Sequence, residues 1–369
     1  MPSAVVAELH GNIADTKSPY SSIPESREHF DWVDLAIIDL SLFDTPGGKE
    51  KLAAKLYDAI KNIGFIYVIN FGLSQEEVDE QYVIAKELFE LPEYEKRKYM
   101  ADLDKGEYIG YKPFGLRDVK PGVPENTEVY NIPKFGPHYE RPHPTILKNH
   151  WAQIEKFGRH INDQIVTKLF QLFAIVLELP ENYFADFHKY EEVDSSYLRY
   201  MKYHARTPEQ NEALENIWLK GHSDFGSLTL LFRQPIVALQ VRTPKGGWKY
   251  VKPYPESITV NIGDILQFLS NGFLKSSIHR VVAPPPDQAH LDRLGVLYFV
   301  RPSDNVNLVA ADSPVLRREG LLSTASTQEG LTAKEWISKR VIANISNKEM
   351  VVEKEDLNKV GDGLTPVYD

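Results

Sequence analysis

The stretch GHSDFGSLTLLF, residues 221–232, places a histidine and an aspartate two positions apart, directly before a run of alternating apolar residues. In a β-strand, residues i and i+2 point to the same face about 6.6 Å apart, so His222 and Asp224 could converge on one metal ion. Two further His-x-Asp pairs occur at residues 29–31 and 290–292, but these lie in polar or proline-rich segments. The strand context therefore makes His222 and Asp224 the candidate metal ligands.

A third ligand is expected from another strand of the same region, and His279 in KSSIHRVV is the best candidate. Two imidazoles and one carboxylate form the facial triad typical of iron(II) oxygenases, although zinc can use the same ligands. Arg293 follows in RLGVLYFV, where its guanidinium could form a bidentate pair with a small carboxylate. An iron triad together with an inward arginine implies a dicarboxylate cosubstrate.

The first half of the chain predicts mixed helices and strands. LAIIDL and FIYVIN read as strands on either side of a helix that ends at Gly64, and Ser74 with Glu77 forms a capping box for a second helix. Residues 104–145, rich in Gly, Pro and Tyr, predict an ordered loop. A helical pattern then runs from about residue 144 to 179, with an interruption expected near Gly158.

After residue 194 the pattern changes to short apolar runs separated by Gly, Pro and Asn turns, which predicts a sandwich or a jelly-roll barrel. The runs are SSYLRYMKYHA, GSLTLLF, VALQVRT, WKYVKP, SITVNIGD, ILQFLSNG, KSSIHRVVA and RLGVLYFV. A last helix is expected around TAKEWISKRVIANI.

Composition excludes several classes of function. The 369 residues carry a net charge of −10 without a dense Lys/Arg cluster, which argues against nucleic-acid and membrane partners and favours a small-molecule substrate. Cysteine is absent, which excludes disulfides, thiolate metal ligands and cysteine nucleophiles. The N-terminus lacks the features of a signal peptide, and no apolar stretch approaches the length of a membrane span. The expected location is cytoplasmic.

Taken together, the motifs resemble the isopenicillin N synthase-like group of iron(II)- and 2-oxoglutarate-dependent dioxygenases, over roughly residues 34–302. They occur in the order of that family: LAIIDLS, IGFIYVINFGLS, GHSDFGSLTLL, ALQV, NIGDILQFLSNG, KSSIHRVV and RLGVLYF. The resemblance implies an α+β fold whose double-stranded β-helix (jelly-roll) barrel is flanked by helices, mostly from the N-terminal half. It also implies that His222, Asp224 and His279 bind Fe(II), that Arg293 binds the distal carboxylate of 2-oxoglutarate, and that Tyr203 lies near this cosubstrate.

The same resemblance implies four regions in one structural unit. An N-terminal arm (residues 1–33) precedes a mixed α/β region (34–190), a jelly-roll core with the iron site (191–303) and a C-terminal tail with a helix (304–369).

Two positions depart from the family pattern. The family usually has Arg-x-Ser where this chain has Arg293 followed by Gly295, so a serine hydroxyl that helps to hold the carboxylate is missing. Met201 stands where many relatives have asparagine. A literal Arg-x-Ser occurs at residues 301–303, but its position after the apolar run predicts a strand exit.

The implied activity is oxidation of a small organic molecule with Fe(II), 2-oxoglutarate and O2, by hydroxylation, desaturation or ring rearrangement. The segment LLFRQPIVALQV is similar to the corresponding segment of family members from fungal natural-product pathways. Three alternatives remain open at this point: an oxidase of the isopenicillin N synthase type that needs no 2-oxoglutarate, a non-catalytic binding protein on the same fold, and a zinc hydrolase.

Overall fold

Two facing β-sheets form the centre of the protein. The computed structural model describes residues 20, 23–322 and 330–346, except the side chains of residue 104 and residues 342–346. The strands are β1 (Ala36–Asp39), β2 (Phe65–Ile69), β3 (Gly110–Lys112), β4 (Asp118–Lys120), β5 (Val123–Pro124), β6 (Thr127–Pro133), β7 (Tyr197–Tyr203), β8 (Ile217–His222), β9 (Leu228–Phe232), β10 (Leu239–Arg242), β11 (Trp248–Tyr250), β12 (Ile258–Ile262), β13 (His279–Val282) and β14 (Arg293–Val300).

The major sheet has eight strands in the order β1-β2-β12-β9-β14-β7-β6-β3, and the minor sheet has four in the order β11-β10-β13-β8. Strands β4 and β5 form a separate hairpin. Apart from the parallel β1–β2 pair, the neighbours run antiparallel. The sheets contact each other where Tyr203 of β7 packs with Trp218 and Val281 of the minor sheet. This is the predicted double-stranded β-helix of an α+β fold, which is therefore confirmed.

The described residues contain ten α-helices, and the first two of them pack on the major sheet. The helices are α1 (Gly48–Asn62), α2 (Gln75–Glu90), α3 (Glu93–Lys96), α4 (Thr145–Asn149), α5 (Trp151–His160), α6 (Thr167–Val176), α7 (Pro208–Ala213), α8 (Asp264–Leu269), α9 (Pro314–Arg318) and α10 (Ala333–Ser346), with a π-helical segment at Ile161–Val166 between α5 and α6. Helix α2 packs on β7 and β14, and the Tyr200 hydroxyl donates to Gln81 of α2. Because strand side chains alternate, Tyr200 and its outward neighbours face the helices while Tyr197, Arg199, Met201 and Tyr203 face the minor sheet.

Several predicted elements are confirmed. Helix α1 ends before Gly64, whose φ of +66° favours glycine, and both hydrogen bonds of the Ser74/Glu77 capping box are present at the start of α2. The last predicted helix is α10.

Other predictions are wrong in detail. Residues 104–145 contain β3 to β6 rather than only loop, and β6 is buried throughout. The run ILQFLSNG forms α8 instead of a strand, because the chain turns at Gly263 and begins a helix at Asp264. Gly158 lies inside α5, and the break in regular helix is the π-helical segment that begins at residue 161.

The described part of the N-terminal arm lies against the barrel. The Tyr20 hydroxyl donates to the Leu294 carbonyl at 2.6 Å, and the Val33 amide donates to the Tyr250 carbonyl at 2.8 Å. Residues 1–19, 21–22, 323–329 and 347–369 of the predicted arm and tail lie outside the described residues, and the division into four regions stays a prediction. Among the helices that the structure describes, none is both long and apolar enough to cross a membrane.

Candidate metal centre

Three side chains meet at one end of the minor sheet. His222 is the last residue of β8 and His279 the first of β13, and the two residues are paired directly across the strands. Their rings lie 4.3 Å apart between centroids. The Asp224 carboxylate lies 3.9 Å from His222 Nε2 and 3.8 Å from His279 Nε2. The structure thus brings together the three predicted ligands, although Asp224 reaches the site from the bend after β8 and not from the same strand as His222.

Backbone carbonyls fix which nitrogen of each ring faces the carboxylate. His222 Nδ1 lies 3.0 Å from the Lys220 carbonyl, and His279 Nδ1 lies 3.2 Å from the Ser277 carbonyl. A carbonyl oxygen can only accept, so each Nδ1 carries the proton and each Nε2 keeps its lone pair. Burial and the neighbouring His279 lower the pKa of His222 to about 4, which keeps that imidazole neutral near pH 7.

Asp224 is held as a carboxylate by the major sheet. Asn261 Nδ2 donates to its Oδ2 at 2.8 Å, and the Thr229 hydroxyl is a second donor. Burial alone would raise the pKa of Asp224, but the two imidazoles and these two hydrogen bonds outweigh burial and lower it. An ionised Asp224 and a neutral His222 have the protonation states that metal ligands require.

The donor set fits a divalent cation. One ligand atom from each of His222, Asp224 and His279 lies within 4.8 Å of the others, and these three are the candidate metal-binding group among the residues that the structure describes. Two imidazole nitrogens and one carboxylate oxygen suit Fe(II) in a facial triad that leaves further coordination positions open.

The bend that carries Asp224 is anchored by neighbours that the sequence motifs did not reveal. A Cβ at Gly263 would lie 2.3 Å from the Gly226 carbonyl oxygen, so only glycine allows the β12–α8 turn to approach the bend this closely. The next amide, of Asp264, donates to the Asp224 carbonyl at 2.7 Å. In the sequence, Gly263 and Asp264 belong to the segment NIGD, which predicted the end of a strand but not its contact with the Asp224 bend.

Helix α10 holds the same bend from the other side. Trp336 Nε1 donates to the Phe225 carbonyl at 3.1 Å, and Arg340 donates to the buried Asp264 carboxylate at 3.1 Å. Asp264 also accepts from the hydroxyl of Ser223, which lies between the candidate ligands His222 and Asp224 in the sequence. In the sequence, Arg340 looks like any exposed cation of a helix, so its contact with Asp264 could not be predicted.

Arg293 opens β14 and is directly opposite Tyr203 in the register of β7. Its side chain is buried, its Cζ lies 5.5 Å from the Tyr203 ring centroid, and its Nε has no hydrogen-bond partner. Within the described ranges no carboxylate pairs with it. A buried guanidinium without an acidic partner is costly unless an anion binds it, which fits the cosubstrate carboxylate predicted from the sequence.

The two departures from the family pattern face each other on the barrel interior. Gly295 of β14 is paired with Met201 of β7, and a Cβ at Gly295 would lie 3.1 Å from Leu297 Cδ1. Leu297 therefore covers the place that a serine would use. The literal Arg-x-Ser at residues 301–303 follows the end of β14 at Val300, and the Ser303 hydroxyl donates to the Phe187 carbonyl, so the predicted strand exit is confirmed.

Two family models match the chain. Residues 35–154 match the model described as "non-haem dioxygenase in morphine synthesis N-terminal", and residues 193–302 match "2OG-Fe(II) oxygenase superfamily". A UPF0676 protein of Schizosaccharomyces pombe is 32% identical over 84% of this chain and 92% of its own length. The 2-oxoglutarate-dependent dioxygenase gloE of Glarea lozoyensis is 29% identical over 74% of this chain and 84% of its own length.

Solved structures share the fold. A full-length Neurospora crassa protein crystallised in complex with alpha-KG and thymine superposes with a TM-score of 0.74 at 24% identity, covering 87% of this chain and 100% of that one. The resemblance stated from the sequence is therefore confirmed, and with it an enzyme class that uses Fe(II), 2-oxoglutarate and O2. The chain belongs to the 2-oxoglutarate- and iron(II)-dependent oxygenase superfamily.

Proposed function

We propose that the protein oxidises a small organic molecule, that His222, Asp224 and His279 hold its Fe(II), and that Arg293 with Tyr203 receives 2-oxoglutarate. The observation that carries this proposal is the buried, unpaired guanidinium of Arg293 near a cluster of three metal ligands. Fe(II) held there would supply the O2-activating chemistry, with 2-oxoglutarate as the co-reductant that is oxidised to succinate and CO2.

Side chains between the two sheets connect the candidate metal ligands with Arg293. On β13 the next inward position after His279 is Val281, about 6.6 Å further along the strand. Val281 packs in one cluster with Tyr203, which is paired with Arg293. Arg293 and the candidate ligand His279 are therefore connected through one cluster of side chains between the two sheets. Tyr203 contributes a ring face to the guanidinium, an arrangement that stabilises the cation.

The protein walls keep this space poor in water. The Phe65 ring packs edge-on against the His279 ring at 5.5 Å, and Tyr203 stacks on Trp218 at 5.9 Å. Apolar walls around a charged cosubstrate strengthen each ion pair and protect reactive species from solvent. The reaction outcome that we propose is hydroxylation, desaturation or ring rearrangement, in natural-product biosynthesis. The similarity of the segment LLFRQPIVALQV to fungal natural-product oxygenases supports this assignment.

An anaerobic titration tests the proposal. The Fe(II)-loaded protein is titrated with 2-oxoglutarate while the visible metal-to-ligand charge-transfer band is followed. We expect a saturable band that His279→Ala abolishes and that Arg293→Met shifts to at least tenfold higher 2-oxoglutarate concentration, because a charge-assisted bidentate contact is lost. Arg159→Met is the matched control, since Arg159 also lies over an aromatic ring, that of Tyr190, but on α5 outside the barrel.

A second candidate is the oxidase that needs no 2-oxoglutarate, and Gly295 is the observation that favours it, because the hydroxyl beside Arg293 is missing. Bound iron without a band at any 2-oxoglutarate concentration would reject our proposal in favour of this oxidase. Succinate formed in step with substrate oxidation would reject the oxidase. A non-catalytic binding protein would consume neither O2 nor 2-oxoglutarate.

A further inference from the structure

Two further arginines, Arg199 and Arg301, lie on the inward side of the major sheet. Arg199 Nη2 lies 3.1 Å and Arg301 Nη2 lies 3.4 Å from the hydroxyl of Tyr197, so both guanidinium groups donate toward the same oxygen. Each also stacks on aromatic rings: Arg199 lies 4.7 Å from the Phe299 centroid, and Arg301 lies 4.7 Å from the Phe225 centroid. We call Arg199 and Arg301 the arginine pair.

No carboxylate of the described residues lies at ion-pair distance from the arginine pair, and Asp194, whose charge acts on Arg301, is itself paired with Lys134. Arg199 donates to the Asn131 side chain and Arg301 to the Ser195 carbonyl, both of which are neutral. Arg301 is 3% exposed and its Nε has no hydrogen-bond partner. Two neighbouring cations repel each other in a medium of low dielectric constant, so an anion between them would be strongly favoured.

Two other buried cations are paired with carboxylates, whereas the buried Arg206 donates to the Pro124 carbonyl. Lys134 contacts Asp194 at 2.7 Å, and Lys96 contacts Glu128 at 2.8 Å. Among the described residues, the arginine pair and Arg293, which we have proposed as the site of an anionic cosubstrate, have no carboxylate at ion-pair distance.

The arginine pair lies beside the candidate metal centre. Phe225, which contacts Arg301, directly follows the ligand Asp224. Thr229, which donates to Asp224, is in register with Phe299, and Phe299 is in register with Tyr197. Two strand spacings therefore separate Thr229 from Tyr197, about 10 Å. This distance suits a small molecule that is held at one end and oxidised at the other.

The arginine pair is separate from the proposed 2-oxoglutarate site. Arg293 is opposite Tyr203, whereas Arg199 lies four residues earlier on β7, about 13 Å along the strand. One cosubstrate molecule bound to the metal and to Arg293 does not reach that far. An anion bound to the arginine pair would therefore be a second molecule, distinct from the cosubstrate.

We propose that Arg199 and Arg301, with the Tyr197 hydroxyl, bind the carboxylate of the substrate, so that the protein oxidises an organic acid at a carbon several bonds from that carboxylate. The inference rests on the proposed function, since it names the substrate class of that site. Planar guanidinium groups stacked on aromatic rings match a planar carboxylate, which can accept from both donors at once.

Calorimetric titration of the anaerobic Fe(II)·2-oxoglutarate protein tests this inference. The probes are hexanoate, benzoate and 3-phenylpropanoate, each compared with its neutral primary amide, and phenyl phosphate as a second anion. We expect at least one acid to bind at least tenfold more tightly than its amide. Arg199→Met and Arg301→Met should each raise the Kd of that acid about tenfold or more, while Arg159→Met leaves it unchanged.

Two further measurements separate this binding site from a folding role and from the proposed function. Arg301→Lys keeps the charge without the planar fork and should bind the acid with a Kd between those of wild type and Arg301→Met. The 2-oxoglutarate charge-transfer band should keep its midpoint in all three arginine-pair variants. The inference is overturned if no acid binds, if acids bind no more tightly than their amides, or if the variants bind the acid like wild type. A normal charge-transfer band in the same experiments would leave the proposed function standing. Tighter binding of phenyl phosphate than of every acid would overturn the carboxylate assignment.

Discussion

Replacing Arg340 by methionine should loosen the bend that carries Asp224, although Arg340 is not itself a candidate ligand. The substitution keeps most of the apolar stem and removes the cation that donates to Asp264 at 3.1 Å. Asp264 is 2% exposed and would then keep two hydroxyl donors, Ser223 at 3.2 Å and Ser276 at 2.7 Å. The hydrogen bond from Ser223 is the one that connects Asp264 to the bend.

The size of the effect follows from these contacts. Removing one partner of a fully buried ion pair costs roughly 3–5 kcal/mol. Here the side chain of Arg340 is 14% exposed, the contact is a single one, and two hydroxyls still satisfy Asp264. Burial already raises the pKa of Asp264 while Arg340 opposes that rise, so the variant can relieve the cost by protonating the carboxyl group. We therefore expect a loss of about 2 kcal/mol in the free energy of unfolding.

Urea unfolding of wild type, Arg340→Met, Asp264→Asn and the double variant measures the coupling between the two residues. We expect a coupling of about 1–2 kcal/mol. Hydrogen exchange should become faster in residues 221–227 and 333–341, and the Kd for the metal should rise roughly threefold to tenfold, less than for direct partners of ligands. Arg317→Met, which breaks an exposed pair with Asp312, is the control and should cost almost nothing. An Arg340 variant that behaves like this control would refute the assigned role of α10.

Three further predictions follow from single contacts. Burial lowers the pKa of His188 to about 3, below the unfolded value near 6.5, so the unfolded state binds more protons at acidic pH. The free energy of unfolding of the wild type should therefore fall by about 2 kcal/mol between pH 7 and pH 5. Urea unfolding of His188→Gln should show a flatter pH profile, and an unchanged profile would contradict the buried neutral ring. Gly295→Ser restores the family hydroxyl once Leu297 moves by a few tenths of an ångström. The 2-oxoglutarate concentration that gives half-maximal charge-transfer absorbance should then fall roughly threefold to tenfold. Weaker binding of 2-oxoglutarate would mean that Leu297 cannot move. Trp336→Phe removes the donor to the Phe225 carbonyl and should lower the unfolding free energy by about 1 kcal/mol in urea titrations, and an unaffected stability would show that this hydrogen bond contributes nothing.

The elements that the sequence predicted correctly are those whose signal is local. Strands β7 and β14 show apolar alternation or near-continuous apolar character, and the Ser74/Glu77 box marks the start of α2 by chemistry within one turn. The candidate ligands were found because His222, Asp224 and His279 stand in motifs that recur together. Their coordinating arrangement nevertheless depends on the chain turning after β8, which the strand argument did not include.

The missed features depend on partners that are distant in the chain. Strand β6 contains Glu128 and Asn131, which read as loop residues but are buried because Lys96 and Arg199 satisfy them. Strand β8 has an exposed Leu219 and a polar Lys220, so its alternation was too weak to recognise. Asp264 and Arg340 are 76 positions apart in the chain, so no local sequence pattern predicts their ion pair.

The pairing of His222 with His279 also has a mechanical consequence. Strand β8 is the outermost strand of the minor sheet, hydrogen-bonded on one side only, and its ladder with β13 is irregular between His279 and Val282. An ion bound by both rings would link the two strands at the open end of that ladder. It would thus stabilise an exposed sheet edge as well as serving the reaction, and we expect a chelator to let β8 fray before the helical layer responds.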